Sequence, residues 1–217
     1  MYLVKTPKLI QNIFPHFVWK IPTNEKKLYL TFDDGPIPEV TPWVLEQLER
    51  YNATATFFTV GENVAKHPDI FESVLEAGHS CGSHTFNHLS GWSTDNLPYF
   101  LNVRKGATLT RSSLFRPPYG RIKPSQITFL QRHYQIIMWD VLSGDFDSKL
   151  SKEQCLENVM LSTESGSIIV LHDSLKSQDK LKYVLPRMLA HFTDLGFSFE
   201  GIFERTIQKP ALILRTA

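Results

Sequence analysis

Asp33 and Asp34 stand side by side where an apolar, β-branched run stops and a Gly-Pro turn begins, LYLTFDDGP over residues 28–36. A strand that ends in two carboxylates delivers both to one mouth. Adjacent anions repel unless a cation or a shared proton lies between them. His84 and His88 stand four residues apart, Arg116 opens a Pro-Pro-Tyr-Gly segment, and His172 and Asp173 close a second apolar run, IIVL. Joined, these pieces describe metal-assisted hydrolysis, in which one aspartate binds the ion and its neighbour takes the proton from water.

Each piece has its own chemistry. Placed four apart on a helical turn, His84 and His88 face one way. With a carboxylate from another strand they form a His, His, Asp set that suits zinc with a position left for water. An Asp-Gly-Pro turn with a capping side chain accounts for Asp34 but leaves Asp33 without a reason. In FRPPYG two prolines fix the backbone and Gly120 frees it, a rigid loop able to aim N–H groups at developing negative charge. Arg116 can pair with a catalytic carboxylate and keep it ionised. His172, beside the ion rather than on it, is placed to protonate a leaving amine. Asp145 can hold its second ring nitrogen and raise its pKa.

These residues need elements that bring them together. Strands are predicted at 27–32, 54–60, 79–83, 113–116, 135–141, 167–171 and 198–203. Helices are predicted near 40–51, 67–77, 94–106, 123–133, 152–163 and 179–195. Thr41 before Pro42 and Ser151 with Glu153 and Gln154 read as helix starts, and Gly78 as a helix stop. Alternating strands and helices, with runs apolar at consecutive positions, point to parallel strands covered on both faces. The expected fold is α/β, a distorted, incomplete (β/α)7 barrel of TIM type, with a doubly wound sheet as the alternative. In a barrel every candidate site residue falls at the C-terminal end of a strand, where such folds build active sites.

The chain has 217 residues, 42% hydrophobic and 21% charged, with a net charge of +1. That supports one good core and gives no reason to expect nucleic acid or an anionic membrane as partner. The two cysteines, Cys81 and Cys155, form no ligand pair and read as core thiols. Residues 8–22 are fairly apolar, but Pro15, His16 and Lys20 interrupt them. No membrane span or signal peptide is read, so a cytoplasmic location is the default expectation, with export the alternative if a signal has been removed. Residues 1–26 are expected to form an N-terminal extension packed on a catalytic domain over 27–217.

Taken together, the motifs resemble the polysaccharide deacetylase family, also described as carbohydrate esterase family four or the NodB-homology domain. TFDDGP (31–36), HTFNH (84–88), RPPYG (116–120), WDVLSGDF (139–146) and IVLHD (169–173) occur in the family's order. The resemblance runs from about residue 27 to 203. It implies a divalent ion, zinc first with cobalt, nickel or manganese as alternatives, held by Asp34, His84 and His88. It implies Asp33 as base, His172 as acid, Arg116 as the tether of Asp33, and Asp145 as the partner of His172. It also implies that the backbone N–H of Tyr119 helps to stabilise the oxyanion. The fourth motif departs from the family pattern, with Leu142 in place of an aspartate and Phe146 in place of a tryptophan. Phe146, Trp139 and Val170 are candidates for an apolar wall beside the acetyl group, and Tyr119, Trp139 and Phe146 for substrate contacts.

The activity so implied is hydrolysis of an N-acetyl or O-acetyl group on a saccharide. The rivals are a related hydrolase of a non-sugar amide or cyclic imide and an inactive carbohydrate-binding relative. The latter has no need of a proton donor and acceptor. Short loops suit an open groove for an oligosaccharide better than a closed pocket.

Overall fold

The computed structural model describes residues 2–207, so residues 208–217 of the expected catalytic unit lie outside the described residues. Eight strands form one sheet: β1 (Lys27–Asp33), β2 (Thr56–Thr59), β3 (Ser80–Ser83), β4 (Leu114–Phe115), β5 (Gln135–Ile136), β6 (Val141–Leu142), β7 (Ile168–His172) and β8 (Ser198–Glu200). Their ladders are parallel, in the order β5-β4-β3-β2-β1-β7-β6. Strand β8 pairs with Lys27–Tyr29 of β1, and β2 with Thr31–Asp33 of the same strand. The sheet curls into a half-barrel, the incomplete (β/α)7 arrangement expected from the sequence rather than a flat doubly wound sheet. The helices are α1 (Lys8–Ile13), α2 (Thr41–Glu49), α3 (Gly61–Lys66), α4 (Pro68–Glu76), α5 (Asn96–Thr110), α6 (Pro124–Leu130), α7 (Lys152–Ser162) and α8 (Gln178–Asp194).

Strand β1 shows why its residues are apolar without alternation. Leu28, Leu30 and Phe32 pack outward with Val44 and Leu48 of α2 and with Val184, Leu185 and Met188 of α8. Tyr29 points the other way, into a cluster with Phe58, Leu114, Ile137 and Ile168. Side chains alternate along a strand, so Thr31 and Asp33 share the interior face with Tyr29. The buried face thus carries the chemistry at its C-terminal end.

Four local readings are corrected. The strand predicted at 135–141 is two strands, β5 and β6. The chain between them crosses from one edge of the half-barrel to the other: Ile137 N–H donates to Phe115 O (2.8 Å) and Asp140 N–H to Ile168 O (3.0 Å). Ile137 and Met138 are buried during the crossing, which keeps the run apolar without a strand. Helices α1 and α3 were not predicted; each spans six residues, too few to show a helical period. Thr41 is the first residue of α2, not its cap, because its hydroxyl is engaged elsewhere; Val40 precedes it as the cap. Gly78, by contrast, has φ 80° and ends α4 as read, with His79 N–H returning to Val74 O. Ser151 caps α7 with a reciprocal Ser151 and Gln154 box.

The N-terminal segment lies in the seam of the half-barrel. Thr6 N–H donates to Asp140 O (2.9 Å) and Leu142 N–H to Val4 O (2.8 Å), along the free edge of β6. Val18 N–H donates to Ile136 O (2.9 Å) and Met138 N–H to Val18 O (2.8 Å), along the free edge of β5. Lys5 Nζ adds an ion pair to buried Asp140 at 2.6 Å. Among the described residues, no helix is long and apolar enough to cross a membrane. Cys81 and Cys155 are both buried and unbridged.

Candidate active site

The site starts at the end of β1. Asp33 is the strand's last residue and is 3% exposed. Asp34 leaves the strand with φ 87°, which turns its carboxylate away from that of Asp33. Gly35 must follow. A Cβ there would lie 2.0 Å from a carboxylate oxygen of Asp173, which accepts the Gly35 N–H (3.0 Å) and the Thr41 hydroxyl (2.6 Å). Burial pushes the Asp173 carboxyl up to about 8. Asp173 therefore braces the turn that aims Asp34 and does not enter the cavity.

His84 and His88 converge, but not on a helix as their spacing predicts. They lie on an irregular loop after β3, with positive φ at Thr85 (64°) and His88 (55°). The loop is held from outside by Asn102 Oδ1, which accepts the N–H groups of Phe86 (2.8 Å) and Asn87 (3.0 Å), and from within by Thr85 Oγ1, which accepts that of Leu89 (3.0 Å). The imidazole centroids end 5.0 Å apart. Left-handed backbone at non-glycine residues costs about 1–3 kcal/mol each and persists only where the surroundings enforce it. Asp34, His88 and Tyr119 (φ 60°) all show it.

One potential ligand atom from each of Asp34, His84 and His88 lies within 4.8 Å of the others, and His88 Nε2 is 3.3 Å from Asp34 Oδ1. Ligands of a tetrahedral ion at about 2.1 Å stand roughly 3.4 Å apart, so the set fits one divalent cation. The donor chemistry agrees. His84 Nδ1 sits 2.8 Å from the carbonyl oxygen of Arg116, which can only accept, so Nδ1 carries the proton and Nε2 presents its lone pair. Burial lowers the His84 pKa to about 4, partly offset by Asp33, and the ring stays neutral as a ligand must be.

Arg116 is fully buried and every contact is directed. Its Nη1 donates to Asp33 Oδ1 (2.6 Å) and Thr31 Oγ1 (2.7 Å), Nη2 to Met138 O (2.9 Å), and Nε to Ile137 O (3.2 Å). The guanidinium carbon lies 4.1 Å from the centroid of the Phe58 ring. Burial acts to raise the Asp33 pKa, but the Arg116 charge, with His84 and His172, outweighs it and holds the carboxyl below its ordinary range. Asp33 is an anion facing the three potential ligands.

At the end of β7, His172 Nδ1 is 2.7 Å from Asp145 Oδ1, and its own N–H donates to Asp145 Oδ2 (2.8 Å). Both carboxylate oxygens thus fix ring and backbone together, leaving Nε2 for the cavity. Burial acts to lower the imidazole pKa, but fully buried Asp145 pushes it up to about 9. Phe146 meets the imidazole edge-on at 5.1 Å.

A cavity of about 400 Å³ joins these groups. Asp33, Asp34, His84, His88 and His172 line it, with Tyr119, Trp139, Leu142, Phe146 and Val170 as its less polar wall. Arg116 and Asp145 do not line it; they hold Asp33 and His172 from behind. Four further lining residues escaped the sequence reading: Tyr2, Arg121, Ser174 and Lys176. Arg121 directly follows RPPYG, and Ser174 and Lys176 follow His172 and Asp173, so extending those motifs would have reached them. Nothing in the sequence points to Tyr2, whose ring meets that of Phe146 at 5.1 Å with a 54° tilt and whose hydroxyl donates to Asp147 Oδ2 (3.0 Å).

Residues 20–134 match the family described as polysaccharide deacetylase, and the chain belongs to that family. It is 32% identical over 196 residues to a peptidoglycan-N-acetylglucosamine deacetylase of Bacillus cereus, covering 87% of this chain and 92% of that protein. It is 31% identical over 208 residues to a chitooligosaccharide deacetylase of Azorhizobium caulinodans, covering 84% and 96%. The fold is similar to the crystal structure of the Bc1960 peptidoglycan N-acetylglucosamine deacetylase in complex with 4-naphthalen-1-yl-N-oxidanyl-benzamide. There the TM-score is 0.83 at 27% identity, with 91% of this chain and 95% of that one covered.

Proposed function

We propose that this chain is a zinc-dependent deacetylase that hydrolyses the N-acetyl group of a saccharide and releases acetate. The observation that carries the reading is the shared cavity. An ionised Asp33 and a protonated, Asp145-held His172 face the same three ligand atoms. Named relatives that act on peptidoglycan and on chitooligosaccharides support the substrate class.

Asp34, His84 and His88 would hold a divalent ion, which would supply Lewis acidity toward the acetyl carbonyl and ease ionisation of water. The chain's own groups do the rest. Asp33, kept anionic by Arg116, takes the proton of the attacking water. The Tyr119 backbone N–H donates to the developing oxyanion, a contribution of about 3–4 kcal/mol for one such donor. The turn that aims it is fixed by Gly120 N–H to Pro117 O and Arg121 N–H to Pro118 O, both 3.0 Å. His172 Nε2–H protonates the departing amine. Trp139, Leu142, Phe146 and Val170 surround the acetyl methyl and exclude water.

The test is acetate release from N-acetylated glucosamine oligomers with zinc or cobalt added. Hydrolysis of small cyclic amides with no acetate from any oligomer would overturn the saccharide reading.

A further inference from the structure

Tyr2 lines the cavity, yet the hydrolytic mechanism gives it no part. It arrives there on a strap. Leu142 N–H donates to Val4 O (2.8 Å), Thr6 N–H to Asp140 O (2.9 Å), and the Thr6 hydroxyl to Trp139 O (2.9 Å). Lys5 Nζ pairs with Asp140 and also donates to Ser162 O (2.8 Å). The strap is thus fastened to residues 139–142, the stretch that supplies Trp139 and Leu142 to the apolar wall.

Two residues before Val4, Tyr2 reaches the next part of the same wall. Its ring meets Phe146 at 5.1 Å, and Phe146 meets His172 edge-on at 5.1 Å. Its hydroxyl donates to Asp147 Oδ2 (3.0 Å). Asp147 is itself fixed. Its Oδ1 accepts the Lys149 N–H (2.9 Å), its own N–H donates to Gly144 O (3.0 Å), and the Lys180 ammonium donates to its carbonyl. A Cβ on Gly144 (φ 82°) would lie 2.9 Å from the Tyr2 hydroxyl oxygen, so the phenol rests directly on the turn that leads to Phe146. Phe146 is in ring contact with both Tyr2 and His172, and its place in the wall depends on Tyr2.

We propose that Tyr2 is a specificity-determining residue that stops the acyl compartment at the length of an acetyl group. Leu142, Phe146 and Val170 line that compartment, and Tyr2 both backs Phe146 and lines the cavity itself. An acyl chain longer than acetyl that runs past Phe146 meets the phenol ring. Close-packed walls yield little, so each added methylene has to displace a side chain. The hydrogen bond to Asp147 keeps the ring from giving way. The inference rests on the deacetylase reading and deepens it, from the bond that is cut to the acyl group that is accepted.

The experiment compares N-acetylated with N-butyrylated glucosamine oligomers on the zinc-loaded protein. The wild type is expected to favour acetyl in kcat/KM by about 10–200-fold, the discrimination that a fitted apolar pocket achieves. In Tyr2→Ala that ratio falls by about tenfold or more, mostly by a gain on the butyryl substrate. Tyr2→Phe keeps the ring, loses only the bond to Asp147, and should keep most of the preference. A merely structural role would lower both substrates alike and leave the ratio untouched. Binding of acetohydroxamate and butyrohydroxamate is measured separately by calorimetry on the same zinc-loaded proteins. A preference for the shorter hydroxamate that Tyr2→Ala abolishes supports the stop even if the wild type releases no acetate, a result that would sink the deacetylase reading alone. A wild type that takes both acyl lengths alike, or a ratio unmoved in Tyr2→Ala, overturns the proposal.

Discussion

Arg116 Nη1 lies 2.6 Å from Asp33 Oδ1, with the arginine fully buried and the aspartate 3% exposed. Asp33 lines the cavity with Arg116 buried behind it, and acceptors from β1 and the 137–138 crossing take four of the five guanidinium N–H donors. Replacing one partner of a buried pair strands the other's charge, at a cost of about 3–5 kcal/mol. Arg116→Met should lower unfolding free energy by that amount in urea titrations. An unchanged midpoint would mean the pair is not closed in solution.

Asp33→Asn keeps the shape and part of the hydrogen bonding but cannot accept the proton. Acetate release should fall by a factor of about 10²–10⁴. Elemental analysis should show metal content unchanged, since Asp33 is not among the three grouped ligand candidates. Robust turnover would remove Asp33 from the role of base.

His172 gives a pH signature. Its pKa in the folded chain is pushed up to about 9 by Asp145, against about 6.5 when unfolded. The raised value means the ion pair stabilises fully below about pH 6.5 and loses that contribution as pH rises through about 9. The acid form fades over the same upper range, so kcat/KM should decline on the alkaline side near pH 9. Asp145→Asn should move that limb to lower pH. A limb that does not move would detach Asp145 from the acid.

Chelation should abolish turnover and lower the thermal midpoint, because a ligand that binds only the folded chain stabilises it by mass action. Zinc or cobalt should restore both. His88→Ala, at a half-buried position, should fold yet retain little metal by elemental analysis. Full metal content in that variant would place the ion elsewhere.

Gly35→Ala tests the turn. The added methyl collides with the Asp173 carboxylate, and overpacking of this kind costs about 1–3 kcal/mol or more. A melting temperature equal to wild type would show that the brace yields freely.

Much of this was legible because parallel strands bury both faces and drop their polar residues at one end. The strand-end positions of Asp33, Arg116 and His172 survive intact. What was not legible has physical reasons. His84 and His88 have helical spacing, yet the grip of Asn102, a residue distant in sequence, sets their loop. The stretch 135–141 is apolar because it crosses the barrel, and burial alone does not distinguish a crossing from a strand. Tyr2 joins the cavity through the seam, by contacts with Phe146 and Asp147 far along the chain that no local pattern encodes.

That seam also bears on how the chain acquires its shape. Lys5 meets Asp140 across a separation of 135 residues. The Lys5 segment leaves a ribosome well before Asp140 does and must therefore wait for it before finding its place. Such distant pairings form slowly. Until they do, the edges of β5 and β6 stand open to other chains, so growth temperature and helper chaperones should govern yield more than the catalytic residues do.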